Sequence, residues 1–289
     1  MAKPTFLIIG GMKCGTTSLH HYLSEHPQIQ RLPRMKETNF FSGPPPEGIP
    51  YPPGSRRIEH LEEYERLFDE AYEVRGEASP YYTLYPLRKG VPERIKALVP
   101  DVKLIYLVRD PVARAVSQYH FSVSVENELR SLREALSDVD DPYSLYTSPG
   151  LYAKQLELYL QHFPQENVLV VDQADLRAER QGTLREIFAF LGVDDSFVSS
   201  LFDDEFNAGE ERRTYSRFVI LHRRTQASAQ RLPRGLRRFL RRSIEHVVSR
   251  PLESPVLDED TRARLQALYA PDVKRLRELT GMSFSSWSI

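Results

Sequence analysis

One cysteine, one tryptophan and four methionines among 289 residues, with almost no net charge, are the scarcities of this chain. A single thiol, Cys14, excludes an internal disulfide and any cysteine-based zinc site, so nothing points to an oxidising compartment. No apolar run approaches the roughly 18 residues that would span a bilayer. Thirty-nine basic residues nearly cancel 40 acidic ones, so the formal charge of −1 indicates no class of partner. There is no internal repeat and no low-complexity tract. The apolar run after Lys3 could pass for a short leader, yet cleavage there would remove the loop described next, and a cytoplasmic location is the expectation. With 40% hydrophobic and 27% charged residues, the composition fits a soluble globular enzyme of one domain, residues 1–289, with a sizeable core.

What is present begins with Phe6-Leu-Ile-Ile-Gly-Gly-Met-Lys-Cys-Gly-Thr-Thr-Ser-Leu19. Four apolar residues, Phe6 to Ile9, predict a short buried strand. Two glycines break it, and Thr16 to Leu23 opens a helical pattern with Leu19 and Leu23 four apart. A strand, a glycine turn and a helix N-terminus form an anion site, because unpaired backbone N–H groups and the helix dipole converge there. Lys13 adds a full positive charge, and Thr16, Thr17 and Ser18 add hydroxyl donors. The loop is built for phosphate or sulfate. Gly10 and Gly15 stand at Walker A spacing, but Thr16 occupies the place of the Walker lysine. The lysine lies instead inside the loop, on the side of a phosphate chain where an activated group would leave.

Further on, Lys103-Leu-Ile-Tyr-Leu-Val108 reads as a second buried strand, rich in branched and aromatic residues. It ends in Arg109-Asp110-Pro111, and a helix with Val112, Val116 and Tyr119 follows. Where a Walker B strand would end in a magnesium-binding acid, the first polar residue here is Arg109, with Asp110 after it. Helical spacing also marks residues 58–72, a start at Pro92, and 129–137, 151–163 and 182–191; strands are expected at 74–78 and 167–171. Residues 43–55 are too rich in proline for helix or central strand and predict an ordered surface loop. Strands alternating with helices predict a P-loop-type α/β fold, with a mostly parallel sheet, helices on both faces and ligand loops along its carboxyl edge. Residues 1–215 would form the nucleotide-binding core and 216–289 a helical extension.

These residues resemble a known family, the sulfotransferases that use 3′-phosphoadenosine 5′-phosphosulfate (PAPS). Their 5′-phosphosulfate loop is similar to Lys13-Cys-Gly-Thr-Thr-Ser-Leu19, and their 3′-phosphate contacts correspond to Arg109 and Ser117, eight residues apart. A guanidinium at a strand end can grip a phosphate in bidentate fashion, with a hydroxyl on the next helix beside it. The branch containing the heparan sulfate sulfotransferases carries a Glu-x-x-Phe-Phe pattern, which Glu37-Thr-Asn-Phe-Phe41 resembles. The resemblance implies Glu37 as general base and Lys13 as stabiliser of the departing phosphate oxygen. Cys14, Gly15, Thr16, Thr17 and Ser18 would cradle the nucleotide. Phe40 and Phe41 read as core. Gly76-Glu-Ala-Ser-Pro-Tyr-Tyr82 resembles a further heparan-type motif, but Ala78 stands where those enzymes carry a lysine. Glu77 and Ser79 remain candidates for supporting residues there. Phe206 to Tyr215 looks like a late loop that closes over the 3′-phosphate, with Arg212 or Arg213 supplying charge. The product would be adenosine 3′,5′-bisphosphate, and no metal is expected.

Alternatives stay open at this point. His120, or His20 and His21, could be the base, and a P-loop kinase or a non-catalytic nucleotide-binding adaptor could share the loop. Cys14 beside Lys13 at a helix N-terminus sits where a thiol pKa would fall, though a small loop residue is the simpler role. Arginines crowd residues 212–242, and 231–242 has the spacing of an amphipathic helix with a basic face, either solvated or facing an anionic partner. No nucleic-acid reading motif accompanies that charge. The acceptor could be a carbohydrate, another small molecule or a carrier-bound group, and its identity is not written in these motifs.

Overall fold

The computed structural model describes residues 2–31, 37–44, 57–126, 128–203, 213–215, 249–251 and 257–289. A four-stranded parallel sheet in the order β2-β1-β3-β4 forms its centre. The strands are β1 (Phe6–Gly10), β2 (Gly76–Ala78), β3 (Lys103–Val108) and β4 (Val168–Asp172). Phe6 lies opposite Gly76 on one side and Lys103 on the other, and Val108 lies opposite Asp172. Every residue of β1 is buried. Since successive side chains point to opposite faces, both faces of this strand are covered, as continuous apolar runs in parallel sheets require.

The helices follow from local sequence. Helix α1 (Thr16–Leu23) starts directly after the β1 loop, and α2 (Leu61–Glu65) is much shorter than the 58–72 pattern predicts. Past Phe68 the Asp69 carboxylate accepts the Ala71 amide at 2.9 Å, a local turn that competes with helix continuation. Helix α3 (Val91–Leu98) has proline in its first turn, where the missing N–H costs nothing. Helix α4 (Pro111–Phe121) follows β3 and runs on into a π-helical turn, Ser122–Glu126. The helix predicted over 129–137 is confined to α5 (Leu132–Ala135). Ser131 and Glu134 form a capping box there, and Glu128 already binds the amides of Leu129 and Arg130. Helices α6 (Tyr152–Leu160), α7 (Gln173–Ala178) and α8 (Arg180–Leu191) complete the core.

Beyond residue 200 the chain is not purely helical. Strands β5 (Arg213–Tyr215) and β6 (Ser249–Pro251) pair antiparallel, before the 22-residue helix α9 (Glu259–Thr280). Most of the 43–55 loop and the basic stretch 231–242 lie outside the described residues. Helix α9 buries Leu265, Tyr269, Val273 and Leu276 at spacings of four, four and three. Its Asp272 carboxylate accepts the amides of Ala153 and Lys154, each at 3.0 Å, and so caps α6 from a different helix.

Buried tyrosines thread hydroxyls through this core. Tyr159 donates to the Tyr82 carbonyl at 2.8 Å and Tyr269 to the Thr147 carbonyl at 3.0 Å. On β2, Glu77 is 1% exposed and accepts from the hydroxyls of Tyr82 at 2.6 Å, Ser79 at 2.8 Å and Tyr64 at 3.4 Å. Burial raises its pKa to about 7, against the opposing pull of those hydrogen bonds.

Two outcomes follow for stability. Replacing Asp272 by Ala should cost about 1–2 kcal/mol, read as a lower urea midpoint, because two amides in the first turn of α6 lose their acceptor. The folded state holds the Glu77 proton more tightly than the unfolded chain, so its contribution is complete below the unfolded carboxylate value. That contribution is lost as pH rises from about 4.5 to about 7, by up to roughly 3 kcal/mol. Glu77→Gln should flatten the profile of unfolding free energy across that window.

Candidate active site

The loop between β1 and α1 is tied down at both ends. The Gly11 amide donates to the Leu107 carbonyl at 2.6 Å, and the Cys14 amide to the Gly11 carbonyl at 3.2 Å. Gly15, at φ 93°, occupies the N-cap position of α1 and brings no side-chain acceptor to the helix end. The positive pole of α1 therefore faces the loop. A Cβ on Gly10 would come within 1.9 Å of Thr83 Oγ1, so the turn after β2 sits hard against this loop.

Lys13 and Arg109, 96 positions apart in the chain, meet at the carboxyl edge of the sheet. The Arg109 guanidinium donates to the Lys13 carbonyl at 3.4 Å. The Lys13 ammonium lies 4.3 Å from the centroid of the Phe121 ring, a cation–π contact at the end of α4. Ser117 stands on that same helix, and Lys13, Arg109 and Ser117 are all half-buried, as groups lining a cleft would be. Thr16, Thr17 and Ser18 open α1 beside them. Asp110 is engaged by both carboxylate oxygens: Oδ1 caps α4 through the Ala113 amide at 2.8 Å, and Oδ2 accepts the Ser288 amide at 2.5 Å.

The segment carrying Glu37 packs across the end of β2. The Glu37 amide donates to the Ala78 carbonyl at 2.9 Å, and Asn39 Nδ2 to the Glu37 carbonyl at 3.0 Å. Glu37 and Asn39 both adopt left-handed backbone, at φ 71° and 52°, as does Lys13 at 67°. Among the described residues only Phe284 joins them as a non-glycine with positive φ, so this conformational cost is concentrated around the loop. Phe41 is buried, and Phe40 stacks on Tyr64 at 4.1 Å with the rings 6° from parallel.

Cys14 follows the simpler of its two readings, a small loop residue, and departs from that of a thiol with lowered pKa. Its side chain is fully buried, with Sγ 3.4 Å from Tyr152 Oη, and burial pushes the thiol pKa up rather than down. Only the backbone of Cys14 belongs to the loop. Of the histidines, His20 and His21 form an edge-to-face pair on α1, and His120 packs edge-on to Tyr119. Arg212 lies outside the described residues. Arg213 opens β5, whose backbone lies against the π-helical turn that follows α4. Among the described residues no group of three or more His, Cys, Asp or Glu is placed to hold a metal ion. No described helix is long and apolar enough to cross a membrane.

Three contributors carry no signal in the local sequence. Phe121 lies under the Lys13 ammonium although it stands outside every motif. Trp287 and Ser288 close the same sheet edge: the indole donates to Asp172 at 2.9 Å, and the Ser288 amide reaches Asp110 from 178 positions away.

The family model for the sulfotransferase domain matches residues 3–207. The chain is 40% identical over 123 residues to the membrane-associated sulfotransferase kil1 of Dictyostelium discoideum, which covers 43% of this chain and 24% of that protein. It is 32% identical over 197 residues to mouse heparan sulfate glucosamine 3-O-sulfotransferase 3A1, covering 66% of this chain and 46% of the relative. These matches span at most about half the length of the two relatives. To mouse heparan sulfate glucosamine 3-O-sulfotransferase 6 it is 29% identical over 288 residues, covering 97% and 73%. A sulfotransferase structure from Alicyclobacillus acidocaldarius is similar over the whole of both chains, with 31% identity and a TM-score of 0.73. A domain match over most of the chain, joined to that full-length structural likeness, shows that this protein belongs to the sulfotransferase family.

Proposed function

We propose that the protein moves the sulfuryl group of PAPS onto a hydroxyl of a carbohydrate or other small-molecule acceptor. The observation that carries this reading is the contact between Arg109 and the Lys13 carbonyl, which sets the two anion-binding motifs side by side on one sheet edge. The donor set fits a nucleotide with anionic groups at two ends: backbone amides at a helix N-terminus, four hydroxyls, one ammonium and one guanidinium. In this reading the amides of Gly15 to Ser18 hold the 5′-phosphosulfate on the turn that Cys14 shapes, its own amide being bound to Gly11, and Arg109 and Ser117 hold the 3′-phosphate. Arg213, or Arg212, adds charge from the late loop. Glu37 takes the acceptor proton as the new S–O bond forms, and Lys13 neutralises the phosphate oxygen released as the old S–O bond breaks. The leaving product is adenosine 3′,5′-bisphosphate.

Both oxygens of Asp110 are engaged within the fold, which speaks against the metal-binding acid that a P-loop kinase would need after β3. Carbohydrate is favoured as acceptor by the names of the relatives, which act on heparan sulfate glucosamine. Ala78, in the position of the heparan-type lysine, argues for an acceptor other than heparan itself. The single cysteine supports a reducing, cytoplasmic setting, and residues 1–289 are read as one sulfotransferase domain with its nucleotide core ending near 215.

Glu37→Gln should lower kcat by about 100-fold or more while adenosine 3′,5′-bisphosphate binds within twofold of wild type. Near-normal sulfate transfer from labelled PAPS would overturn the assignment of the base. By calorimetry, adenosine 3′,5′-bisphosphate should bind without magnesium and more tightly than ATP with magnesium. Arg109→Ala should weaken the bisphosphate by roughly 10- to 100-fold, the loss expected for a charged phosphate contact. A preference for magnesium and ATP would sink the nucleotide assignment.

A further inference from the structure

Among the described buried acids that the mechanism above leaves unused, Glu77 is the least exposed. Glu77 stands between Gly76 and Ala78 on β2, and the hydrogen bonds around it run in one direction. Above about pH 7 the Glu77 carboxylate is ionised and only accepts, so each hydroxyl that touches it must then donate. Ser79 Oγ gives its proton to Glu77 Oε2 at 2.8 Å and is left to accept the Asn39 amide at 3.1 Å. Tyr82 gives its proton to Glu77 Oε1 at 2.6 Å, so its oxygen accepts the Phe41 amide at 3.4 Å. The Tyr82 oxygen also faces Thr38 Oγ1 at 3.2 Å. With the Tyr82 proton committed, Thr38 must donate there, and Thr38 Oγ1 accepts the Phe40 amide at 3.4 Å. Tyr64, on which Phe40 stacks, donates its own hydroxyl to Glu77 at 3.4 Å.

Three successive amides, at 39, 40 and 41, therefore end on one carboxylate through three hydroxyls. The segment they belong to carries left-handed backbone at Glu37 and Asn39. Such backbone persists only where the surroundings over-determine it, and this network supplies the constraint.

We propose that Glu77 is a positioning residue for the sulfuryl-transfer reaction: it polarises Ser79, Tyr82 and Thr38 so that they lock the 37–41 segment and aim the Glu37 carboxylate. The inference rests on the reading of Glu37 as base. Glutamine at 77 keeps the shape but replaces one acceptor by an amide donor. Ser79 then has to turn its proton away, and the order of the network is lost.

The test uses the full chain with Glu77→Gln, and Tyr82→Phe as a second variant that removes one link. Hydrogen exchange followed by mass spectrometry on peptides covering 37–42 should show the amides at 39–41 exchanging about tenfold faster or more. Peptides covering β1 should keep wild-type protection, which separates a local release from general unfolding. Steady-state kinetics with PAPS should show kcat reduced about tenfold or more, while adenosine 3′,5′-bisphosphate affinity stays within twofold. Placed in a Glu37→Gln background, Glu77→Gln should reduce kcat little further, because both changes act on one group. Unchanged exchange at 39–41 in a folded variant overturns the proposal, and so does a kcat loss that adds in full to that of Glu37→Gln. If Glu37→Gln alone leaves turnover intact, the reading of Glu37 as base fails. The exchange data then still decide whether Glu77 holds the segment.

Discussion

The hydrogen bond from the Gly11 amide to the Leu107 carbonyl prolongs the pairing of β1 and β3 into the loop itself. Everything at the carboxyl edge depends on it. Parallel neighbours end on the same side, so the residues after each strand share one rim, and at this rim a lysine loop and an arginine turn are drawn together. Two cations placed so close repel each other. Here the Lys13 ammonium is turned onto the Phe121 ring, and the guanidinium reaches the Lys13 carbonyl rather than its charge. An anion entering the rim would meet both positive side chains already held in place.

A second constraint shapes the other wall. Glu37 is carried by irregular chain, and irregular chain is precise only when its amides have fixed partners. Those partners lie on β2 and the turn after it, which links the acid side of the rim to the most regular part of the fold.

Strands β1 and β3 were legible because four to six apolar residues in a row leave little choice, and the adjoining glycines and Arg109-Asp110-Pro111 mark their ends. Helix limits were less so. Apolar spacing over 58–72 continues past the point where Asp69 turns the chain, because periodicity does not register a side chain competing for backbone amides. The direction of Cys14 was hidden for a related reason: the helix field and a neighbouring lysine are visible in the sequence, whereas the rotation that buries Sγ against Tyr152 is a tertiary fact. The Gly76 to Tyr82 resemblance marked Glu77 as a candidate supporting residue, but its partners show only once Tyr64, Ser79 and Tyr82 close over it.

The Ser288 contact with Asp110 sets an order of assembly. A ribosome delivers the sheet and both cationic turns long before it delivers residue 288, and until then Asp110 and Asp172 lack the amide and indole that hold them. The rim is finished by residues that emerge well after its last strand. A nascent polypeptide carrying all of its strands would therefore hold a sheet edge still short of its final form.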